Sequence, residues 1–206
     1  MNILMVRAWE ILYKNRRAYL VLSGLYYGTL LVLMIYAIFD APLQSRMLEV
    51  NHGAYMTGAL ALGEKTALDM EVLQVLGRAL IYNVLGTSYT NISLPSFFIP
   101  FIGVFLGLYR AAMLGIGFSP LNAEISQIII PHIPTMFLEG QATILAMLGA
   151  TIQGMAMIRP ASIGQTSRWK AYVEGVRQTG TLYMFIMPIL LVSAVYGVFE
   201  TALFIW

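Results

Sequence analysis

Long apolar runs separated by short polar segments dominate the chain. The run 18–39 contains no charged residue and, at about 1.5 Å per residue, is long enough to cross a hydrocarbon core of about 30 Å. It predicts the first transmembrane helix. Later apolar runs at 94–118, 125–138, 141–158 and 181–206 predict further membrane segments. The pattern as a whole predicts an all-α, polytopic transmembrane helical bundle with about five membrane segments in one domain, 1–206.

Breaks in two of these runs bear on the topology. Pro131 and Pro134 interrupt 125–138, and Glu139-Gly140 follows, which predicts a turn or kink. Two alternatives stay open for 125–158: two separate crossings, with 125–138 a broken helix, or one re-entrant hairpin. The last run contains Pro188, where we expect a kink.

Two segments have amphipathic rather than continuous apolar patterns. Residues 1–17 alternate apolar and basic positions at helical spacing, which is typical of a helix lying along a membrane surface. Residues 40–93 contain interspersed acidic residues and form a predicted extracytoplasmic or interfacial segment. Within it, leucines recur at helical spacing opposite polar residues over 66–86, so we predict an interfacial amphipathic helix there.

Composition supports a membrane protein and indicates its orientation. Hydrophobic residues make up 59% of the chain and charged residues only 11%, too apolar a balance for a water-soluble globule. Most basic residues fall within 1–17 and the basic loop 159–178, so both should face the cytoplasm. The segment 40–93 and the C-terminus are then expected outside. The lipid bilayer is the predicted partner, and a net charge of +2 does not indicate nucleic acid.

Catalytic and cofactor-binding motifs are missing from the sequence. The chain has no cysteine, which excludes disulfides, iron–sulfur clusters and thiolate zinc sites, and it has only two histidines. The HExxH, GxSxG and P-loop patterns do not occur. We therefore predict no enzyme activity, no cofactor and no metal.

Ionisable residues inside apolar runs are the strongest candidates for function. A charge at the middle of a bilayer costs about 2.5–3.5 kcal/mol even on lenient scales, so such residues usually pair, line a wet cavity or reach towards an interface. Arg110, His132 and Glu139 are the predicted intramembrane polar site, formed where the Pro-interrupted segment meets the span carrying Arg110. The alternative for Arg110 is that its side chain reaches the cytoplasmic interface. Glu200 is expected to be exposed at the outer interface.

Small residues recur at four-residue spacing on three predicted helices. Such faces let helices approach closely in lipid, either within one subunit or against a partner or a second copy. We favour packing within the subunit and keep the partner face as the alternative. The predicted helix-packing residues are Gly24, Gly28, Gly103, Gly107, Ala142, Ala146, Ala150 and Gly154.

The order of motifs over 82–158 resembles the stage II sporulation protein M family of multi-pass prokaryotic membrane proteins. Tyr82-Asn83 is followed by a Gly-rich span (101–107) closed by Gly115, and then by Ile130-Pro131-His132, Glu139, Ala142 and a small-residue helix containing Gly149. The resemblance assigns Pro131, His132, Glu139 and Ala142 to the family's Pro-His, Glu and Ala positions. It implies a location in a prokaryotic cytoplasmic membrane. It also implies membership of a larger membrane-bound complex.

Two functions are consistent with these features. The first is a non-catalytic scaffold or accessory subunit, which would bind other membrane-protein subunits or a second copy of itself. The alternative is the permease subunit of a type-2 ABC-like exporter, because the family also looks similar to such permeases. A separate cytoplasmic ATPase would then dock on 1–17 or 159–178, with Arg110, His132 and Glu139 lining the transport path.

Overall fold

The described part of the chain is helical. The structure is a computed structural model that describes residues 3–47, 77, 81–120 and 123–204, and no strand occurs in these residues. This confirms the predicted all-α class, whereas most of the predicted 66–86 helix lies outside the described residues. The elements in chain order are α1 (Ile3–Lys14), α2 (Arg16–Ile38), a π-helix (Tyr82–Ser93), α3 (Leu94–Phe98), α4 (Ile102–Gly117), α5 (Ala123–Ile158), a 3₁₀ turn (Pro160–Ile163) and α6 (Arg168–Phe204).

Three of the described helices are long and apolar enough to cross a membrane. They are α2, the part Ile129–Ile158 of α5 and the part Arg168–Gly197 of α6, while the apolar helix α4 is shorter. The helix α5 is the central one, because 72% of its apolar window is buried inside the protein, against 22% for α2 and 33% for α6. Its residues Ile144, Met147 and Leu148 pack in one core cluster with Tyr26 of α2 and Leu182 of α6.

The predicted break at Glu139-Gly140 is wrong, because α5 is one continuous helix that contains Pro131 and Pro134. It therefore neither crosses twice nor forms a re-entrant hairpin within its length. Gly140 lies at a packing contact between α5 and α2 and not in a turn. A Cβ atom there would lie 2.8 Å from the Tyr27 hydroxyl and 3.1 Å from the Tyr26 ring, so the glycine leaves room for these two tyrosine side chains of α2.

The break lies in the segment that was predicted as one span, 94–118. Ile99 is extended, as the residue before a proline tends to be, and Phe101 adopts a left-handed conformation with φ 64°. Ser96 bridges the turn, because its hydroxyl donates to the Ile92 carbonyl at 2.7 Å and accepts from the Gly103 amide at 3.0 Å. The chain thus turns after α3, and α4 begins beside it.

The last predicted span also begins earlier than expected. The helix α6 starts at Arg168, so only the first half of the predicted basic loop 159–178 is a loop. The helix continues through Pro188 without interruption. The first turns of α6 contain most of its charged residues, and they pack against the rest of the protein through the buried Ala171 and through Tyr172, which donates a hydrogen bond to the Phe97 carbonyl.

Contacts between helices fix their directions. Residue 132, near the start of α5, contacts residue 200, near the end of α6, whereas residue 153 contacts residue 179, so the two helices are antiparallel. Most lysines and arginines lie at the end of the bundle where α2 and α6 begin and α5 ends, which we call the basic end. These residues are Arg7, Lys14, Arg16, Arg17, Arg159, Arg168, Lys170 and Arg177.

Candidate functional site

Two pairs of ionisable side chains connect the central helix to its neighbours. The first is Arg110 of α4 with Glu139 of α5, whose Nη2 and Oε2 atoms lie 2.9 Å apart. The second is His132 of α5 with Glu200 of α6, whose Nδ1 and Oε1 atoms lie 2.8 Å apart. The predicted site is therefore divided: Glu139 contacts Arg110, whereas His132 joins a different partner nearer the other end of the bundle.

The Arg110–Glu139 pair is mostly but not fully enclosed. The two side chains are 23% and 15% exposed. The fully buried Tyr26 of α2 lies beside both of them and beside Thr143. Pairing offsets much of the cost of placing two charges in an apolar bundle. Arg110 is thus bound to a carboxylate within the protein, the arrangement that the predicted polar site requires.

The helix α2 faces this pair with a row of tyrosines. Tyr19 donates a hydrogen bond to the Gln141 side-chain oxygen, and the Gln141 amide donates to the Tyr27 hydroxyl at 2.9 Å. Tyr27 in turn donates to the Phe137 carbonyl at 3.0 Å. The sequence reasoning missed this network. The spacing of Tyr19, Tyr26 and Tyr27 could have indicated it, because this spacing places the three tyrosines on one side of an otherwise apolar helix.

The His132–Glu200 pair is the more deeply buried of the two. The side chains of His132 and Glu200 are 9% and 3% exposed. The second oxygen of the Glu200 carboxylate accepts a hydrogen bond from the Thr135 hydroxyl at 2.9 Å. The expectation that Glu200 is exposed at the outer interface is therefore wrong, because α5 supplies two partners that cover it. Thr135 stands at i+3 from His132, so both lie on the same face of α5.

The end of α4 closes over His132. The Phe118 ring stacks on the imidazole with 4.7 Å between ring centroids. The Gln44 amide donates to the carbonyls of Gly117 and Ser119, at 3.2 and 2.7 Å, and so satisfies acceptors that the end of a helix leaves free. The residues 41–47, α4, α5 and α6 therefore meet around this pair.

The predicted small-residue faces differ in whether they pack inside the subunit. Ala142, Ala146 and Ala150 are buried, and a Cβ atom on Gly154 would lie 2.7 Å from the Phe101 ring, so the face of α5 is used inside the subunit. On α4, Gly103 lies against Ala150 and Gly107 lies against Met147. By contrast, no described residue lies within 4 Å of a Cβ atom placed on Gly24 or Gly28 of α2.

The chemistry available at these sites is electrostatic. The described residues contain no group of three or more His, Asp or Glu side chains placed to bind a metal ion. Each pair instead joins two helices across the bundle through hydrogen bonds, and the Arg110–Glu139 pair also joins opposite charges. Comparisons of the chain with protein-family models, with curated proteins and with solved structures give no match. The resemblance to the stage II sporulation protein M family stays a prediction from the sequence.

Proposed function

We propose that this protein is a non-catalytic scaffold or accessory subunit of a larger membrane complex, in the manner of the stage II sporulation protein M family that it resembles. The observation that carries the proposal is the open glycine pair on α2. A glycine inside a helix costs about 1 kcal/mol relative to alanine. Elsewhere in the bundle that cost accompanies close packing, as at Gly103 and Gly140.

At Gly24 and Gly28 the described part of the chain supplies no neighbour that needs the space. Close approach of a helix from another protein accounts for both residues, since small residues at four-residue spacing are typical of helix contacts in lipid. The surrounding surface of α2 is apolar and exposed, with Leu20, Val21 and Leu31 all more than half exposed. The partner surface is therefore a membrane helix, from another subunit or from a second copy.

Extraction in mild detergent followed by mass spectrometry of co-purifying proteins tests this function. We expect stoichiometric membrane-protein partners, or a dimer, and we expect Gly24→Leu with Gly28→Leu to lose them. Gly180→Leu is the matched control, because Gly180 of α6 is equally open but lies on another helix. Recovery of a stoichiometric ATPase instead would replace the scaffold by the exporter permease. Recovery of the monomer alone would reject both.

The proposal includes an orientation in a prokaryotic cytoplasmic membrane. Basic residues concentrate on the cytoplasmic side of membrane proteins, so the basic end faces the cytoplasm. From there α2 leads outwards, 81–98 inwards, α4 outwards, α5 inwards and α6 outwards. Ser93 contacts Tyr183, and Phe97 contacts Tyr172, which lies nearer the start of α6; this supports the inward direction of 81–98. The chain then crosses five times, with its C-terminus outside.

Single cysteines report this topology directly, because the chain contains none of its own. We expect Ser162→Cys and Ile99→Cys to be shielded from a membrane-impermeant maleimide in intact cells and labelled after permeabilisation. Ser45→Cys should be labelled in intact cells. All three positions are exposed in the protein. Labelling of Ile99→Cys from outside would contradict the turn between α3 and α4 at the cytoplasmic face.

A further inference from the structure

A charged groove lies between α1 and the start of α6 at the basic end. Its volume is about 200 Å³. The helix α1 contributes Arg7, Glu10, Ile11 and Lys14, and α6 contributes Glu174, Arg177, Gln178 and Thr181. Both sets follow the spacing i, i+3, i+4, i+7, so one complete face of each helix lines the groove. None of these residues takes part in the Arg110–Glu139 pair or the His132–Glu200 pair.

The groove lies at the depth of lipid headgroups. On α6, Arg177 is followed by no charged residue until Glu200. On α2, Arg17 is followed by none until Asp40. The helices α6 and α2, the latter following directly on α1, therefore enter the hydrocarbon region directly beyond the groove. The exposed Trp9 and Tyr13 of α1 support this depth, because tryptophan and tyrosine are enriched at the membrane interface.

The helix α1 is held in place to form one wall. Ala8 and Ile11 are buried, and the Trp9 ring meets Phe185 of α6 edge to face, with centroids 6.4 Å apart. Asn15 ends the helix, because its side chain donates a hydrogen bond to the Ile11 carbonyl at 2.9 Å. The groove is thus a fixed feature of the fold and not a chance gap beside a free N-terminal segment.

Among the described residues, the basic side chains in the groove have few acidic partners. Within the described part of the chain, Arg7 and Lys14 form no ion pair, although Glu10 stands one helical turn from each. Arg177 reaches Glu174 only at 4.0 Å, and its side chain is 66% exposed. Three basic and two acidic side chains leave a net charge of +1, which one phosphodiester group balances.

We propose that this groove binds the phosphate of an anionic phospholipid headgroup, held by Arg7, Lys14 and Arg177. A basic pocket between helices on the cytoplasmic side of a membrane is a recognised setting for anionic headgroups. An anionic lipid fits better than a zwitterionic one, because the ammonium group of a zwitterionic headgroup cancels the charge that the groove complements. The bound lipid bridges α1 and α6 and fixes the amphipathic helix against the bundle.

Native mass spectrometry of the purified protein titrated with phosphatidylglycerol tests the proposal, with phosphatidylcholine as the comparison lipid. We expect phosphatidylglycerol to bind and phosphatidylcholine to bind much more weakly. Arg7→Gln and Lys14→Gln should each raise the apparent dissociation constant for phosphatidylglycerol about fivefold, the factor that corresponds to about 1 kcal/mol per basic residue near an anionic surface.

Arg168→Gln and Lys170→Gln are the matched controls. They remove the same charges at the same end of the bundle, from exposed positions outside the groove. We expect both controls to keep the wild-type affinity. Equal losses in controls and groove variants would reduce the effect to general attraction by the basic end and overturn the proposed site, as would no loss in the groove variants.

A free phosphate ion could bind the same basic side chains as a lipid headgroup, so the two ligands must be distinguished. Titration of the detergent-solubilised protein with inorganic phosphate should leave its Tm unchanged, whereas phosphatidylglycerol should raise it by a few degrees. The Tm of each variant in lipid-free detergent shows whether it is folded. A shift with inorganic phosphate as large as that with phosphatidylglycerol would assign the groove to a soluble anion and overturn the lipid.

Discussion

Glu200→Ala is expected to destabilise the folded protein by about 3 kcal/mol, because removing the carboxylate leaves two buried groups, the His132 imidazole and the Thr135 hydroxyl, without their hydrogen-bond partner. Glu200 is only 3% exposed, and its carboxylate joins His132 and Thr135. Its loss removes two of the hydrogen bonds that join α5 to α6 near the end of the bundle opposite the basic end. Unfolding in mixed detergent micelles, followed by circular dichroism, measures the change in free energy.

Two further variants show whether charge or hydrogen bonding dominates. Glu200→Gln keeps the size of the side chain and an acceptor for the Thr135 hydroxyl, so we expect a smaller loss, about 1 kcal/mol. Glu139→Ala provides a comparison in the more exposed Arg110–Glu139 pair, and its effect should lie below that of Glu200→Ala.

A double-mutant cycle of His132→Ala and Glu200→Ala isolates the interaction between the two side chains. Contacting groups in one network typically show coupling energies of about 0.5–3 kcal/mol. We expect coupling of this size, so that the double variant is more stable than the sum of the single losses predicts. Strictly additive losses would mean that the 2.8 Å contact contributes nothing specific.

The sequence predicted the charged residues but only part of their pairing. Arg110 and Glu139 were identified because isolated charges in apolar runs are expensive, and this argument depends on composition alone. The choice of partner depends on packing. His132 and Glu200 are separated by 68 residues, and no local periodicity relates them. Only the antiparallel arrangement of α5 and α6 places them at the same level.

The error at 125–158 has a definite physical origin. Proline and glycine interrupt helices in water, and the expected break relied on Pro131, Pro134 and Gly140 together. Inside a helical bundle in a membrane, neighbouring helices and side chains make proline tolerable, and glycine is selected for close approach. The true turn, at Ile99-Pro100, was marked by the same residue type. Sequence alone could not separate the two cases, because packing of α2 against Gly140 is a tertiary property.

Gly115→Ala is expected to destabilise the protein by about 2 kcal/mol, within the range measured for overpacked cores. Helix propensity alone predicts the opposite sign, a gain of about 1 kcal/mol. Packing decides, because a Cβ atom at this position would overlap the Leu30 carbonyl oxygen and lie 3.1 Å from its carbon. These atoms belong to the backbone of α2 and cannot rotate away, so α2 and α4 must separate.

Gly24→Ala and Gly28→Ala are the matched controls, because both lie on α2 and no residue in the described part of the chain comes within 4 Å of the added carbon. In the monomeric, detergent-solubilised protein we expect these two variants to match or exceed wild-type stability, as propensity predicts. The three variants make the same chemical change in apolar helices of one bundle. A difference in sign between them therefore measures the close approach of α2 to α4, and a gain in stability for Gly115→Ala would show that the two backbones are not in contact there.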